Sequence, residues 1–163
     1  MKLYEYLGKQ FFDRYGVPIP RGKMVKTAEE AAEVAAQWGE VVIKSQVLTG
    51  KRGKAGGIAF ASDPDQARRE ASRILTMKIQ GLPVERLLVE EKLSIDQELY
   101  LAITVDGAAR SPILLASLDG GMEVEEVPPE RMIRWPINVN IGVQGYAVRE
   151  ICRRLGVSGS LQK

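Results

Sequence analysis

The spacing of apolar positions changes along the chain and predicts alternating helices and strands in its first half. Leu3, Tyr6, Leu7, Phe11 and Tyr15 recur at helical spacing, which predicts an amphipathic helix with Gly16 at its C-terminal cap. Pro18 and Pro20 then impose an extended passage, and Lys23–Lys26 reads as a short strand. Thr27, with Glu30 three residues later, forms a capping-box pattern ahead of an alanine-rich helix ending near Gly39. The β-branched run Val41-Val-Ile-Lys44 predicts a buried strand. A glycine-rich stretch, Thr49–Gly57, leads into a strand over Ile58–Ala61. Ser62 is expected to cap a helix over Pro64–Ile79 with Ala67, Ala71, Ile74 and Leu75 facing inward. Gly81-Leu-Pro83 ends it, and Leu87–Glu91 reads as a strand.

From Glu98 onward the pattern becomes one of hairpins. Glu98–Val105 and Pro112–Ala116 flank Asp106-Gly107, a hairpin turn signal. The stretch punctuated by Gly120-Gly121 and Pro128-Pro129 gives no clear element. A last helix is expected over Tyr146–Leu155, with Val148, Ile151, Cys152 and Leu155 inward and Gly156 as its cap. Alternation followed by antiparallel hairpins predicts an α+β fold and argues against a doubly wound parallel sheet.

Composition narrows the chemistry. The 163 residues carry 23 Lys and Arg against 21 Asp and Glu, a balance too even for a dedicated nucleic-acid or membrane-surface binder. A single cysteine, Cys152, excludes an internal disulfide and a cysteine-rich zinc site. The absence of any histidine excludes triad hydrolysis with a histidine base, histidine-ligated metals and phosphohistidine chemistry on this chain. No signal peptide or transmembrane run is visible, so a cytoplasmic protein is expected.

Candidate chemistry concentrates in Val41–Ile58. A buried strand delivers Lys44, and the loop after it interleaves Gly50, Gly53, Gly56 and Gly57 with Lys51, Arg52 and Lys54. Glycines let backbone N–H groups converge on an anion that nearby cations neutralise, so the loop reads as a phosphate cover or a solvated hairpin tip. It is not a Walker A loop: Gly50 and Gly53 are too close, and Ala55 stands where a Ser or Thr would bind magnesium. Glu90 and Glu91 are neighbours on one strand, so their side chains point to opposite faces, one solvated and the other free to line a cleft. Glu98 could accept hydrogen bonds from a ribose diol. A nucleic-acid surface built on Lys51, Arg52, Lys54, Arg68, Arg69 and Arg73 is the weaker alternative, because such a helix face is ordinarily solvated.

The ordered motifs resemble the β subunits of succinyl-CoA synthetases. Leu3-Tyr-Glu-Tyr6 with Lys9 and Phe12, Arg14-Tyr-Gly-Val-Pro18, Val42-Ile-Lys-Ser-Gln-Val47 and Arg52-Gly-Lys-Ala-Gly-Gly57 carry the likeness. Leu88-Val-Glu90, Glu98-Leu-Tyr-Leu101, Gly120-Gly-Met-Glu-Val-Glu125 and Leu155-Gly-Val-Ser-Gly159 continue it in the same order. The resemblance implies an ATP-grasp fold that binds ATP or ADP with magnesium, its two small α+β lobes comprising residues 21–95 and residues 1–20 with 96–163. It implies phosphoryl transfer from ATP through a phosphohistidine on a partner α subunit, with succinate or malate as acyl substrate. By position, Lys44 would contact the nucleotide phosphates, and Lys51, Arg52 and Gly53 would cover them. Glu90 and the backbone near Leu93 would line the base pocket, and Glu98 would hold the ribose. Pro20 stands where ATP-using members tend to have proline. No catalytic residue is expected on this chain.

Two departures stand out. Lys51 replaces the first glycine of the family's Gly-Arg-Gly, so its side chain either blocks a glycine-only conformation or adds a charge to the phosphate site. The family's magnesium ligands and its second domain fall after Lys163, so a piece of a longer synthetase, inactive alone, is expected. A free-standing nucleotide- or partner-binding module is the alternative.

Overall fold

The computed structural model describes residues 2–121 and 127–157. It divides into two compact units, Met1–Ser94 and Ile95–Lys163. The first contains α1 (Glu5–Arg14), β1 (Gly22–Val25), α2 (Ala28–Trp38), β2 (Val41–Ser45), β3 (Ile58–Ala61), α3 (Pro64–Leu75), β4 (Lys78–Ile79), β5 (Leu82–Pro83) and β6 (Leu87–Glu91). Residues 1–20 therefore belong with the first unit and not, as the sequence suggested, with residues 96–163. The reason is electrostatic, because Glu5 and Lys9 of α1 form ion pairs with Lys44 and Glu90 of the sheet.

An antiparallel sheet of order β1-β6-β2-β3 is the frame of this unit. Strand alternation sends Val41, Ile43, Leu87 and Val89 to one face, where they pack with Ala31, Val34 and Ala35 of α2 and Ala67, Ala71 and Ile74 of α3. Helix α2 begins with the expected capping box: Thr27 accepts from the Glu30 amide at 3.1 Å, and the Glu30 carboxylate accepts from the Thr27 amide at 3.2 Å. The cap of α3 is Asp63 and not Ser62, since the Asp63 carboxylate accepts from the Gln66 amide at 2.7 Å. That helix ends at Leu75, earlier than its periodicity implied, because Lys78–Ile79 pairs with Leu82–Pro83 as a small hairpin.

The opposite face of the sheet carries α1. This helix has no buried residue, and Phe11, Phe12 and Tyr15 are at least half exposed, so its apolar stripe does not form a core contact within the unit. Its N-cap residue, Tyr4, makes no side-chain cap. Buried Gln46 takes that part from across the fold by accepting from the Tyr6 amide at 3.2 Å.

In the second unit, β7 (Tyr100–Asp106), β8 (Ser111–Ser117) and β9 (Ile133–Pro136) form an antiparallel sheet in that order. The β7–β8 turn is held by the Asp106 carboxylate, which accepts from the Ala108 amide at 3.0 Å and the Ala109 amide at 3.2 Å. Strand β9 had no recognisable pattern in the sequence. Helix α4 (Gly145–Leu155) places Ile151 and Leu155 against Leu114, Ala116, Ile133 and Trp135, and Gly156 caps it in the left-handed conformation at φ 71°. Ala147 is buried while Val148, expected inward, is about half exposed. The Glu123 and Glu125 positions lie outside the described residues.

Candidate functional site

On the face of the first sheet away from its core, register sets the chemistry. Val42 lies opposite Glu90 and Lys44 opposite Leu88, so Lys44 and Glu90 are diagonal neighbours on that face. The Lys44 ammonium is bonded to one Glu90 oxygen, and the Lys9 ammonium from α1 to the other. Glu90 is almost wholly buried, 2% exposed, which is possible for a carboxylate because two ammonium groups neutralise and hydrogen-bond it. Gly22 on β1 makes room for it, since a Cβ there would lie 3.2 Å from the Glu90 Cγ. Glu91, by contrast, is partly exposed and accepts from the Arg21 amide at 2.9 Å.

Glu5 links this pair to the glycine loop. One of its oxygens stands 3.2 Å from the Lys44 Nζ and 3.7 Å from the Lys9 Nζ, and the other is bonded to Arg52. Arg52 also donates to the Ser45 carbonyl at 3.1 Å. Burial pushes the Glu5 carboxyl up, but the charges of Arg52, Lys44 and Lys9 outweigh it and hold the group below its ordinary value.

The loop itself is folded by its own backbone. The Gly57 amide donates to the Arg52 carbonyl at 2.8 Å, Gly56 to Gly53 at 3.0 Å, and Ala55 to Lys51 at 3.1 Å. The Ser45 amide donates to the Gly57 carbonyl at 2.7 Å, fixing the loop exit to the end of β2. Gly57 has no space for a side chain: a Cβ would lie 2.6 Å from the Ile79 Cδ1 and 3.0 Å from the Arg52 carbonyl. Lys51 adopts φ 61°, so the backbone takes the left-handed conformation despite its side chain.

Two cavities flank the cluster. One of about 130 Å³ is lined by Tyr6, Ile19, Pro20, Gly22, Leu88 and Glu90, and is mostly apolar with a charged end. The other, about 330 Å³, is lined by Lys2, Glu5, Thr49, Gly50 and Arg52.

Of the residues singled out from sequence, the structure brings Lys44, Arg52 and Glu90 into one network, with Lys51 and Gly53 in the adjoining loop. Leu93 follows β6 and is about half exposed. Glu98 lies in the second unit, where its carbonyl accepts from the Gly120 amide at 3.2 Å and its carboxylate rests on Gly121. Glu5, Lys9 and Gln46 were missed as site residues. The i, i+4 spacing of Glu5 and Lys9 was a visible signal that they share a helix face, but nothing local showed what that face meets. Two of the three arginines of α3 are paired locally, Arg68 with Asp65 at 2.7 Å and Arg73 with Glu70 at 2.8 Å.

An ATP-grasp domain model matches residues 2–163. The chain belongs to the ATP-grasp family. Among curated relatives, it is 43% identical over 165 residues to the succinate–CoA ligase [ADP-forming] subunit beta of Methanothermobacter thermautotrophicus, covering 99% of this chain and 45% of that protein. It is 41% identical over 167 residues to the succinate–CoA ligase [GDP-forming] subunit beta of Thermus thermophilus, covering 100% of this chain and 44% of that one. The chain thus spans under half the length of these relatives. Among solved structures it resembles the dinucleotide-forming acetyl-coenzyme A synthetase 1 of Ca. Korarchaeum cryptofilum, with a TM-score of 0.74 at 22% identity over 93% of this chain and 66% of that chain. At that identity the likeness supports the fold alone, and it agrees with the α+β architecture of this ATP-grasp chain.

Proposed function

We propose that this ATP-grasp chain is the nucleotide-binding N-terminal part of an ADP-forming acyl-CoA synthetase β subunit. The reaction of the whole assembly would be succinate, coenzyme A and ATP giving succinyl-CoA, ADP and phosphate, with a phosphohistidine on an α subunit as relay. The observation that supports this best is the convergence of Lys44 and Arg52 on one anionic group beside a glycine loop and an apolar pocket. Cations on a rigid strand and a braced loop can hold phosphates in line and neutralise charge as it develops.

On this reading Lys44 and Arg52 take the phosphates, and Lys51 and Gly53 cover them. The pocket with Pro20 and Glu90 takes the purine together with the backbone near Leu93. Among the described residues no group of three or more Asp, Glu, Cys or His side chains comes together as a metal site. By itself the 163-residue chain would bind nucleotide without turnover, in the cytoplasm. Among the described residues no helix is long and apolar enough to cross a membrane.

Calorimetric titration of the chain with ADP tests the reading. Binding that falls about ten-fold or more in Lys44→Ala is expected. Unchanged affinity in that variant would remove Lys44 from the site. Comparing ADP with GDP tests the part given to Pro20, with ADP expected to bind more tightly.

A further inference from the structure

The two cations assigned to phosphate are already held by a carboxylate, and that carboxylate differs from its neighbour in how it is held. Glu90 is almost fully buried, is carried on a central strand and is fixed by two lysines. Glu5 is 20% exposed and sits in the first turn of α1, a helix with no buried residue and no cap from the side chain of its own N-cap residue. It reaches Lys44 with one oxygen and Arg52 with the other, a span like that of two phosphate oxygens. The larger cavity opens directly beside it and includes Arg52, Gly50 and Thr49.

We propose that Glu5 is a competing anion for the phosphate site: it holds Lys44 and Arg52 in place, and a nucleotide phosphate binds by displacing it. This deepens the nucleotide reading above and rests on it. The five charged groups, Glu5, Lys9, Lys44, Arg52 and Glu90, carry one net positive charge, so a polyanion is attracted but must compete locally. Removing the Glu5 charge leaves two, with Arg52 released from its carboxylate and Lys44 keeping Glu90 alone as partner. Glu5 thereby sets nucleotide affinity by charge, and its effect grows with the number of phosphates on the ligand. It also protects Lys44 and Arg52 from facing each other without an intervening anion.

The test is calorimetric titration of the full 163-residue chain and its Glu5→Gln variant with ADP and with adenosine, with the helical circular dichroism of both recorded. About ten-fold tighter ADP binding in Glu5→Gln, with adenosine unchanged, is expected. Equal or weaker ADP binding in the variant, when the parent chain binds ADP, overturns the role of Glu5 and leaves the nucleotide reading standing. Equal tightening for adenosine also overturns it, since the effect would then lie in the base pocket. No heat from either protein with ADP removes the nucleotide reading and this inference with it. Should Glu5→Gln fail to fold, Glu5→Asp serves in its place. Its shorter side chain keeps the charge at the helix start but cannot span both cations, and two- to three-fold tightening is expected, roughly what losing one exposed ion pair gives. No tightening in that variant overturns the proposal.

Discussion

Lys44 on β2 and Glu90 on β6 meet across the strand junction with their charges in direct contact, although neither is the other's opposite residue in the register. The diagonal arises because Glu90 faces Val42 and Lys44 faces Leu88. Replacing Glu90 by Gln leaves two ammonium groups, on Lys9 and Lys44, sharing the Glu5 carboxylate, which Arg52 also engages. Both lysines are about one-fifth exposed, so water recovers part of the loss. A destabilisation of about 2 kcal/mol is expected from urea unfolding, below the roughly 3–5 kcal/mol that breaking a fully buried pair costs. A double-mutant cycle with Lys44→Met should show coupling of about 1 kcal/mol or more. Additivity of the two changes would mean that the contact does not persist in solution.

Gly57 is the steric pivot of the loop. With Ile79 and the Arg52 carbonyl within 3.0 Å of where a Cβ would stand, Gly57→Ala must displace either the core or the loop backbone. A loss of about 1–3 kcal/mol is expected in the same unfolding assay. Gly50, with open space around it, should accept alanine with little change, and comparable losses at both glycines would contradict the geometry.

Lys51 tests backbone strain separately from charge. Lys51→Gly and Lys51→Val both remove the ammonium, but only glycine is at ease at φ 61°. The valine variant should be less stable than the glycine variant by about 1–2 kcal/mol. Equal stabilities would show that the loop relaxes away from the left-handed conformation.

The pH dependence follows from carboxylates with depressed values, Glu5, Glu30, Asp106 and Glu150. Glu5 lies below its ordinary value, and Glu150 falls from 4.5 to about 2 because Arg153 and Arg154 hydrogen-bond it and attract it. A carboxyl depressed in the folded chain adds stability that is present above its unfolded value and is lost as pH falls through its folded value. Stability should therefore decline as pH drops from 4.5 toward about 2, and a carboxyl NMR titration should place Glu150 near the lower end. Because Glu150 is solvent-facing, added salt should move its titration back toward the ordinary value.

Local chemistry by itself determined most of the elements. The Thr27–Glu30 box, the β-branched run before Lys44 and the glycine caps act within a few residues, so their signals survive without tertiary context. The ordered motifs likewise pointed to the ATP-grasp family, and Lys44, Arg52 and Glu90, singled out from the sequence, meet in one charge network. Strand β9 was not legible, because its pairing with β8 joins segments separated by residues with no periodic pattern. Helix α1 shows the same limit from the other side. Its apolar spacing was correctly read as a helix, yet the face that engages the sheet is the charged one, with Glu5 and Lys9. Periodicity reports which residues share a face, whereas the partner of that face depends on which strand register presents Lys44 and Glu90 to it. Only the folded sheet decides that register, and with it the joining of Glu5 to Lys44 and Arg52.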